Sequence, residues 1–230
     1  MSGRADPRDS RPAYDPPEGD RLFAPSAARN AAPIAAALAR RLGPAGAAVL
    51  EIGGGTGQHA VAAAAALSGR PWRPTDPDPD HLRSIAAWRA AEGTPNLTPP
   101  LLLDAREPAD WTAAAAAVAG PIDAVFCANV IHIAPWSVAE GLVAGAASVL
   151  APAGRLVLYG PFLEDGEAGI GNRAFDRSLR ERNPNWGLRD TADLARLAAR
   201  HGFGPPLREA MPANNLMLIF PALGSGGGAG

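Results

Sequence analysis

The stretch from Val49 to His59 limits what this chain can fold into more than any other part of it. An apolar, β-type run, Val49-Leu50-Glu51-Ile52, meets glycines at positions 53, 55 and 57 and then an alanine-rich segment. That order is a strand, a tight turn and the start of a helix. Glycines in such a turn accept positive φ and let a ligand come close to the backbone, while the first N–H groups of the helix face that ligand. The dinucleotide-binding fingerprint would need a further glycine at position 58, where Gln58 stands. A glycine loop preceded by Glu51 and lacking that glycine suits a nucleoside-type ligand with no pyrophosphate to cradle.

The rest of the composition narrows the setting. A chain of 230 residues with a formal net charge of -2 suits one domain with a sizeable core. The single cysteine, Cys127, lies in an apolar run and has no internal disulfide partner, which points to a reducing, cytoplasmic setting. The apolar stretch from Ala60 to Leu67 is too short to cross a bilayer, and Met1 to Asp20 has no apolar core of the signal-peptide kind. A near-neutral balance without a basic, aromatic-interleaved cluster favours a small-molecule substrate over nucleic acid. The Asp-Pro pairs at 76–79 lack calcium-loop spacing, and no metal-ligand cluster, Walker lysine or Gly-x-Ser-x-Gly elbow is present, so no metal is expected.

Along the chain, residues 1–20 are Pro-rich and charged and read as a flexible segment. Residues 21–220 read as a single domain, and 221–230 as a flexible Gly/Ser tail. Within the domain, strands are expected at 49–52, 71–76, 101–103, 122–130, 155–159 and 216–220. Helical patterns lie between them, and Pro74 argues for an edge or an irregularity in the second strand. A loop-rich insertion at about 163–190, carrying Phe175, Trp186 and Arg189, reads as a lid or substrate wall. The alternation predicts an α/β fold: a mostly parallel, Rossmann-like sheet with helices on both faces, binding ligands beyond the carboxyl ends of its strands. Exposed helices beside an edge strand are compatible with a homodimer.

Polar residues fall at those carboxyl ends. Glu51, Asp76, Asp104, Asn129 and Tyr159 each sit at or close to the end of a predicted strand. Asp76, 25 residues beyond Glu51, stands where a carboxylate accepts ribose hydroxyls in nucleotide-binding sheets. Asp104 is placed to accept from an adenine amine, with the Ala105 amide facing a ring nitrogen. Glu51 is a candidate acceptor for an amino group, Asn129 a neighbour of a methionyl portion, and Gln58-His59 a pair at the helix start. His132 is a candidate general base, and Tyr159 a group that orients the acceptor. S-adenosylmethionine is the ligand these positions fit best.

Motifs spread over most of the chain resemble the DUF938, or methyltransferase-like 26, family, within the class I S-adenosylmethionine-dependent methyltransferases. They are Ser26-Ala27-Ala28-Arg29-Asn30, Leu50-Glu51-Ile52-Gly53-Gly54-Gly55-Thr56-Gly57-Gln58-His59-Ala60 and Thr75-Asp76-Pro77-Asp78-Pro79-Asp80-His81-Leu82. Asp123 to Ile133, Tyr159-Gly160-Pro161-Phe162, Asn183 to Asp190 and Met211-Pro212-Ala213-Asn214-Asn215 continue them. The resemblance implies a seven-stranded class I methyltransferase fold and methyl transfer to O or N of a small molecule, with S-adenosylhomocysteine as product. It implies that Gly53, Gly55 and Gly57 hold the methionyl part, Asp76 the ribose, Asp104 and Ala105 the adenine, and that Asn129 borders the methionyl group. Arg29 and Asn30 would lie over the pocket in an N-terminal cap. Two other uses of such a fold stay open at this point: a non-methylating biosynthetic reaction, and a non-catalytic partner protein with a vestigial pocket.

Overall fold

In a computed structural model of the chain, residues 14–43 and 45–223 are described. A hairpin of β1 (Asp15–Glu18) and β2 (Arg21–Phe23) leads into α1 (Pro25–Leu42). There follow β3 (Ala48–Ile52), α2 (Gln58–Ala66), β4 (Trp72–Asp76), α3 (Pro79–Glu92), β5 (Leu101–Leu102) and α4 (Pro108–Ala116). Next come β6 (Ile122–Ala128), α5 (Trp136–Val149), β7 (Leu150–Gly160), β8 (Phe162–Leu163), α6 (Ile170–Arg182), β9 (Arg189–Asp190) and α7 (Thr191–Arg200). β10 (Leu207–Met211) and β11 (Asn215–Pro221) close the order. Prolines open α1, α3 and α4, where the missing N–H costs no helical bond. Asp78 and Asp190 cap α3 and α7 by accepting from the backbone two residues on.

The central sheet has seven strands in the order β10-β11-β7-β6-β3-β4-β5. The five from β7 to β5 are parallel, whereas β11 pairs antiparallel with β7, and β10 with β11. One core packs α4, α5 and α7 against one face, and another packs α1 and α2 against the opposite face. The doubly covered parallel sheet is therefore the one the alternating pattern predicts. Pro74 sits in β4, between β3 and β5, yet β5 reaches only Thr75 and Asp76. Before β5, the segment 96–98 pairs with Trp72, with Trp72 N donating to Asn96 O and Thr98 N to Trp72 O, so the ring falls in the gap between these two pairings and interrupts no complete ladder.

β10 was not located from the sequence. Its pattern Leu207-Arg208-Glu209-Ala210-Met211 buries only the last residue, as an edge strand's does. Of the segment 1–20, residues 1–13 lie outside the described residues, and from Tyr14 onward the chain is the hairpin and its lead-in. Of the expected tail, 224–230 lie outside the described residues. The insertion at 163–190 holds α6 flanked by the short parallel pair β8 and β9. Among the described residues no helix is long and apolar enough to cross a membrane.

Candidate ligand-binding site

From β3 the chain steps to β4 and β5 and then returns to β6 on the other side of β3. At that reversal a cavity of about 330 Å³ opens beyond the strand ends, the place where open α/β sheets bind ligands. Among the residues the sequence reading singled out, Gly53, Gly55, Asp76, Asp104, Ala105 and Asn129 line it. Arg29, Asn30, Glu51, Gly57, His132 and Tyr159 lie outside the lining.

The glycines divide the work of the turn. Gly53 and Gly55 have φ of 68° and 56°, a region that costs any other residue free energy. A methyl on Gly53 would strike Val130 Cγ2, so this position lets the β3 turn nest against the β6 exit. At Gly55 no atom lies within 4 Å of where a Cβ would stand, and the backbone there faces open space. Gly57 turns away from the cavity: a Cβ would lie 2.9 Å from Ile85 Cα, and the absence of one lets α2 approach α3.

Asp76 is held before any ligand arrives. Its Oδ2 accepts from Gly55 N at 2.9 Å, and its Oδ1 accepts from Asp78 N at 2.9 Å and faces His81 Nδ1 at 3.0 Å. A carboxylate has about four acceptor positions. With three donors in place, it retains room for one hydroxyl rather than for both hydroxyls of a ribose. Asp104 is likewise gripped, by the backbone N–H of Arg106 and by its guanidinium, in a pair 2.6 Å apart. The carbonyl of its neighbour Ala105 accepts from Trp111 Nε1 at 3.0 Å.

Glu51 takes a structural place. It is 1% exposed and accepts from Trp72 Nε1 at 2.7 Å, beneath the loop and not in the cavity. Burial pushes its carboxyl up to about 7, against the Trp72 bond and with the help of the nearby Asp76 charge. Gln58 holds the entry to α1, accepting from Ala24 N at 2.8 Å and from the Thr56 hydroxyl at 2.9 Å. His59 lines the cavity. Burial pushes its imidazole down to about 4 against a backbone hydrogen bond at Ala27, and its Nε2 has no partner.

The β6–β7 side looks different. Asn129, with φ of 60°, donates its backbone N–H to Tyr159 O at 2.9 Å as the chain leaves β6. His132 is 1% exposed, packs edge-on against Phe162 with ring centroids 5.0 Å apart, and has neither ring nitrogen partnered. Burial, reinforced by the Arg189 charge, pushes it down to about 3. Tyr159 is 1% exposed with an unpartnered hydroxyl, and burial pushes that hydroxyl up to about 12.

The insertion supplies the far wall through Asn183, Asn185 and Trp186. Trp186 is 3% exposed, whereas Phe175 is 43% exposed and excludes no water. Arg189 fastens this wall by donating to Ile131 O, Ala134 O and Asn185 O at 2.6–2.9 Å. A second depression, of about 650 Å³, lies beside α6 and shares no lining residue with the first. Its exposed charges Arg173 and Glu167, and Arg180 and Asp176, pair with one another. Among the described residues no group of His, Cys, Asp and Glu could hold a metal ion.

A family model described as "Protein of unknown function (DUF938)" matches residues 21–222. The chain belongs to the DUF938 family. Among solved structures, this DUF938 chain is similar to an O-methyltransferase family protein from Burkholderia thailandensis, with a TM-score of 0.71 and 14% identity over 86% of this chain and 57% of that one. TnmH gives a TM-score of 0.68 and 21% identity over 86% and 55%. Human N-acetylserotonin methyltransferase in complex with SAM gives 0.60 and 14% over 76% and 47%. These likenesses show the fold, which is the Rossmann-like class I methyltransferase fold. The chain spans about half the length of the structures it matches.

Tyr14 and His81 are lining residues to which the sequence reading gave no ligand role. Tyr14 belongs to the stretch read as flexible. His81 had a legible signal: His81, Ser84, Trp88 and Glu92 recur at helical spacing along α3, a stripe of groups able to hydrogen-bond or ion-pair, with Ser84 buried beside the core residue Ile85.

Proposed function

We propose that this protein binds S-adenosylmethionine in the cavity at the β3–β6 reversal and transfers its methyl group, in line, to O or N of a small molecule. The observation that carries this reading is Asp76, held by three donors at the end of β4 beside a Gly55 backbone that faces open space. A fixed carboxylate with one acceptor position left suits a ribose hydroxyl, and a bare glycine backbone suits close approach of the methionyl part. Asp104, Ala105 and Asn129 line the same cavity, and in this reading the first two meet the adenine and Asn129 the methionyl part. Human N-acetylserotonin methyltransferase, which shares the fold, was solved in complex with SAM. Arg29 and Asn30 enter as parts of the α1 cap, whose first-turn Ser26 and Ala27 line the cavity.

When bound, the cofactor supplies a methyl group already activated by its sulfonium. The chain's own residues then have three tasks: to hold that group, to align the acceptor and to exclude water. Trp186 and the Asn183–Asn185 turn do the last from the inserted wall. His132 and Tyr159 enter as neutral polar groups behind Asn129. With its ring pushed down to about 3, His132 is a weak base while it stays buried. This reading therefore favours an acceptor that loses its proton readily.

Calorimetric titration of the folded protein should show binding of S-adenosylmethionine and S-adenosylhomocysteine. Asp76→Ala, which removes a charged acceptor worth about 2 kcal/mol, should weaken both about thirtyfold. Failure of the intact protein to bind either would end the proposal. Recovery of S-adenosylhomocysteine in step with a methylated product separates transfer from a non-methylating use of the site.

A further inference from the structure

The stretch from Tyr14 to Ala27 crosses the cavity mouth as a strap, fastened along its length to α3 and α2. On α3 the fastenings follow the polar stripe. Tyr14 Oη lies 2.7 Å from His81 Nε2, with the rings edge-on at 81°. Leu22 N donates to Ser84 Oγ at 2.9 Å, and Trp88 Nε1 donates to Leu22 O at 2.9 Å. Arg21 lies over the Trp88 ring at 5.1 Å and 3.6 Å from Glu92. On α2, Gln58 takes the backbone of Ala24. Tyr14, Ala24, Ser26 and Ala27 all line the cavity, so the strap is part of its wall.

One of these fastenings differs from the rest, because it runs into the binding site. His81 Nδ1 faces the Asp76 carboxylate, which accepts; the ring N–H therefore sits on Nδ1 and donates. Nε2 faces the Tyr14 hydroxyl and accepts from it when the ring is neutral. Tyr14, His81 and Asp76 thus form a continuous relay, and each of the three lines the cavity.

We propose that Tyr14 is a positioning residue of the ligand site: acting through His81, it fixes the rotamer of Asp76 and closes the ribose end of the cavity, so that the strap and the ligand hold each other in place. The proposal rests on the S-adenosylmethionine reading of the same cavity. Asp76 offers few free acceptor positions, so its orientation decides whether the remaining one points at a hydroxyl. The backbone donors at Gly55 and Asp78 fix its height in the turn, and His81 fixes its rotation. Tyr14 in turn fixes His81. A ligand that engages Asp76 would stabilise the docked strap, and a docked strap would slow the ligand's escape.

The test is binding of S-adenosylhomocysteine to the full chain and to Tyr14→Phe, His81→Asn and the double variant, by calorimetry and by stopped-flow dissociation. Asparagine keeps a donor where Nδ1 stood and removes Nε2. Tyr14→Phe keeps the ring and removes one neutral hydrogen bond, so affinity should fall about fivefold, chiefly through faster dissociation. His81→Asn should show a loss of similar size, and the double variant should be no worse than either single one, because the two share one relay. Addition of S-adenosylhomocysteine should also slow amide exchange across 20–27 in the parent and less so in Tyr14→Phe. Unchanged affinity and dissociation in Tyr14→Phe, or losses that multiply in the double variant, would overturn the proposal while leaving the cofactor reading intact. Absence of binding to the parent protein would overturn both.

Discussion

The two ends of the strand rim are built on opposite terms. At the β3–β4–β5 end the polar side chains answer one another: Asp76 has three donors, Glu51 has Trp72, Asp104 has Arg106 and Gln58 has two donors. At the β6–β7 end His132 and Tyr159 are just as deeply buried, and their polar atoms answer nothing in the protein. Among the described residues the exceptions on the first side are His59 Nε2 and, further down β4, Arg73 Nε, whose guanidinium bonds through its other two nitrogens. A saturated network fixes its members' positions, which is what a site needs in order to present a ligand with a ready-made set of contacts. Unpartnered buried groups fix nothing and carry a desolvation cost. The contrast marks the first end as the preorganised half, to which the proposal assigns the cofactor, and the second as a region whose polar groups are uncommitted in this conformation.

The strongest test of that contrast is at the turn that joins the halves. Gly53→Ala would place a methyl against Val130 Cγ2 at a φ of 68°. Left-handed strain of about 1–2 kcal/mol and overpacking of about 1–3 kcal/mol add to about 4 kcal/mol of lost stability, readable by urea denaturation. Gly55→Ala carries the same kind of backbone strain at φ of 56° but meets no atom within 4 Å. Its stability should drop only about 1–2 kcal/mol, while S-adenosylhomocysteine affinity falls further than in Gly53→Ala. Equal losses of stability in the two variants would show that the turn does not separate a packing glycine from a ligand-facing one.

Next in size is the charge beneath the loop. Glu51 has a folded pKa raised from 4.5 to about 7, so between those values the native state keeps a proton that the unfolded chain has released. Stability from this group therefore falls as pH rises through that window and is lowest above pH 7. Glu51→Gln keeps an acceptor for Trp72 Nε1 and removes the ionisation. It should be more stable than the parent at pH 8 by about 3 kcal/mol, with the gap closing near pH 4.5. A gap that stays constant with pH would mean that Glu51 is not the neutral, structural carboxyl that the saturated half requires.

How far this could be read in the sequence follows from what sets each feature. The α/β order, the glycine turn and the acids at 76 and 104 are legible because strand, turn and helix starts have local causes: β-branched runs, glycines and helix-opening prolines. Glu51 and Tyr159 are each the penultimate residue of their strand, close to the end as expected, yet their side chains point into the layers and not into the cavity. Strand ends show which residues reach the rim, but not which face each side chain takes once a turn begins. Tyr14 and β10 were illegible for other reasons. Tyr14 is held by His81, 67 residues away, which no local pattern announces, whereas β10 pairs with the next strand, β11, across the short link Pro212–Asn214 and shows no apolar alternation because it buries only Met211. The stripe at 81, 84, 88 and 92 could have indicated that α3 carries something on its polar side, though not what.

The smallest expected effect is the most direct measure of the uncommitted half. Tyr159→Phe removes a hydroxyl with no partner and leaves the ring in its buried place on β7. Deleting an unpaired polar atom from a packed interior relieves a desolvation cost, so stability should hold or rise by about 1 kcal/mol, a shift of about 2–4 °C in Tm for a domain of this size. Affinity for S-adenosylhomocysteine should not change, because the hydroxyl lies outside the cavity wall. A fall in Tm of several degrees would mean that the hydroxyl has a hydrogen-bond partner, a trapped water being the natural one. The β6–β7 end would then be a second ordered network joined to His132 through solvent, and the asymmetry between the two ends of the rim would disappear.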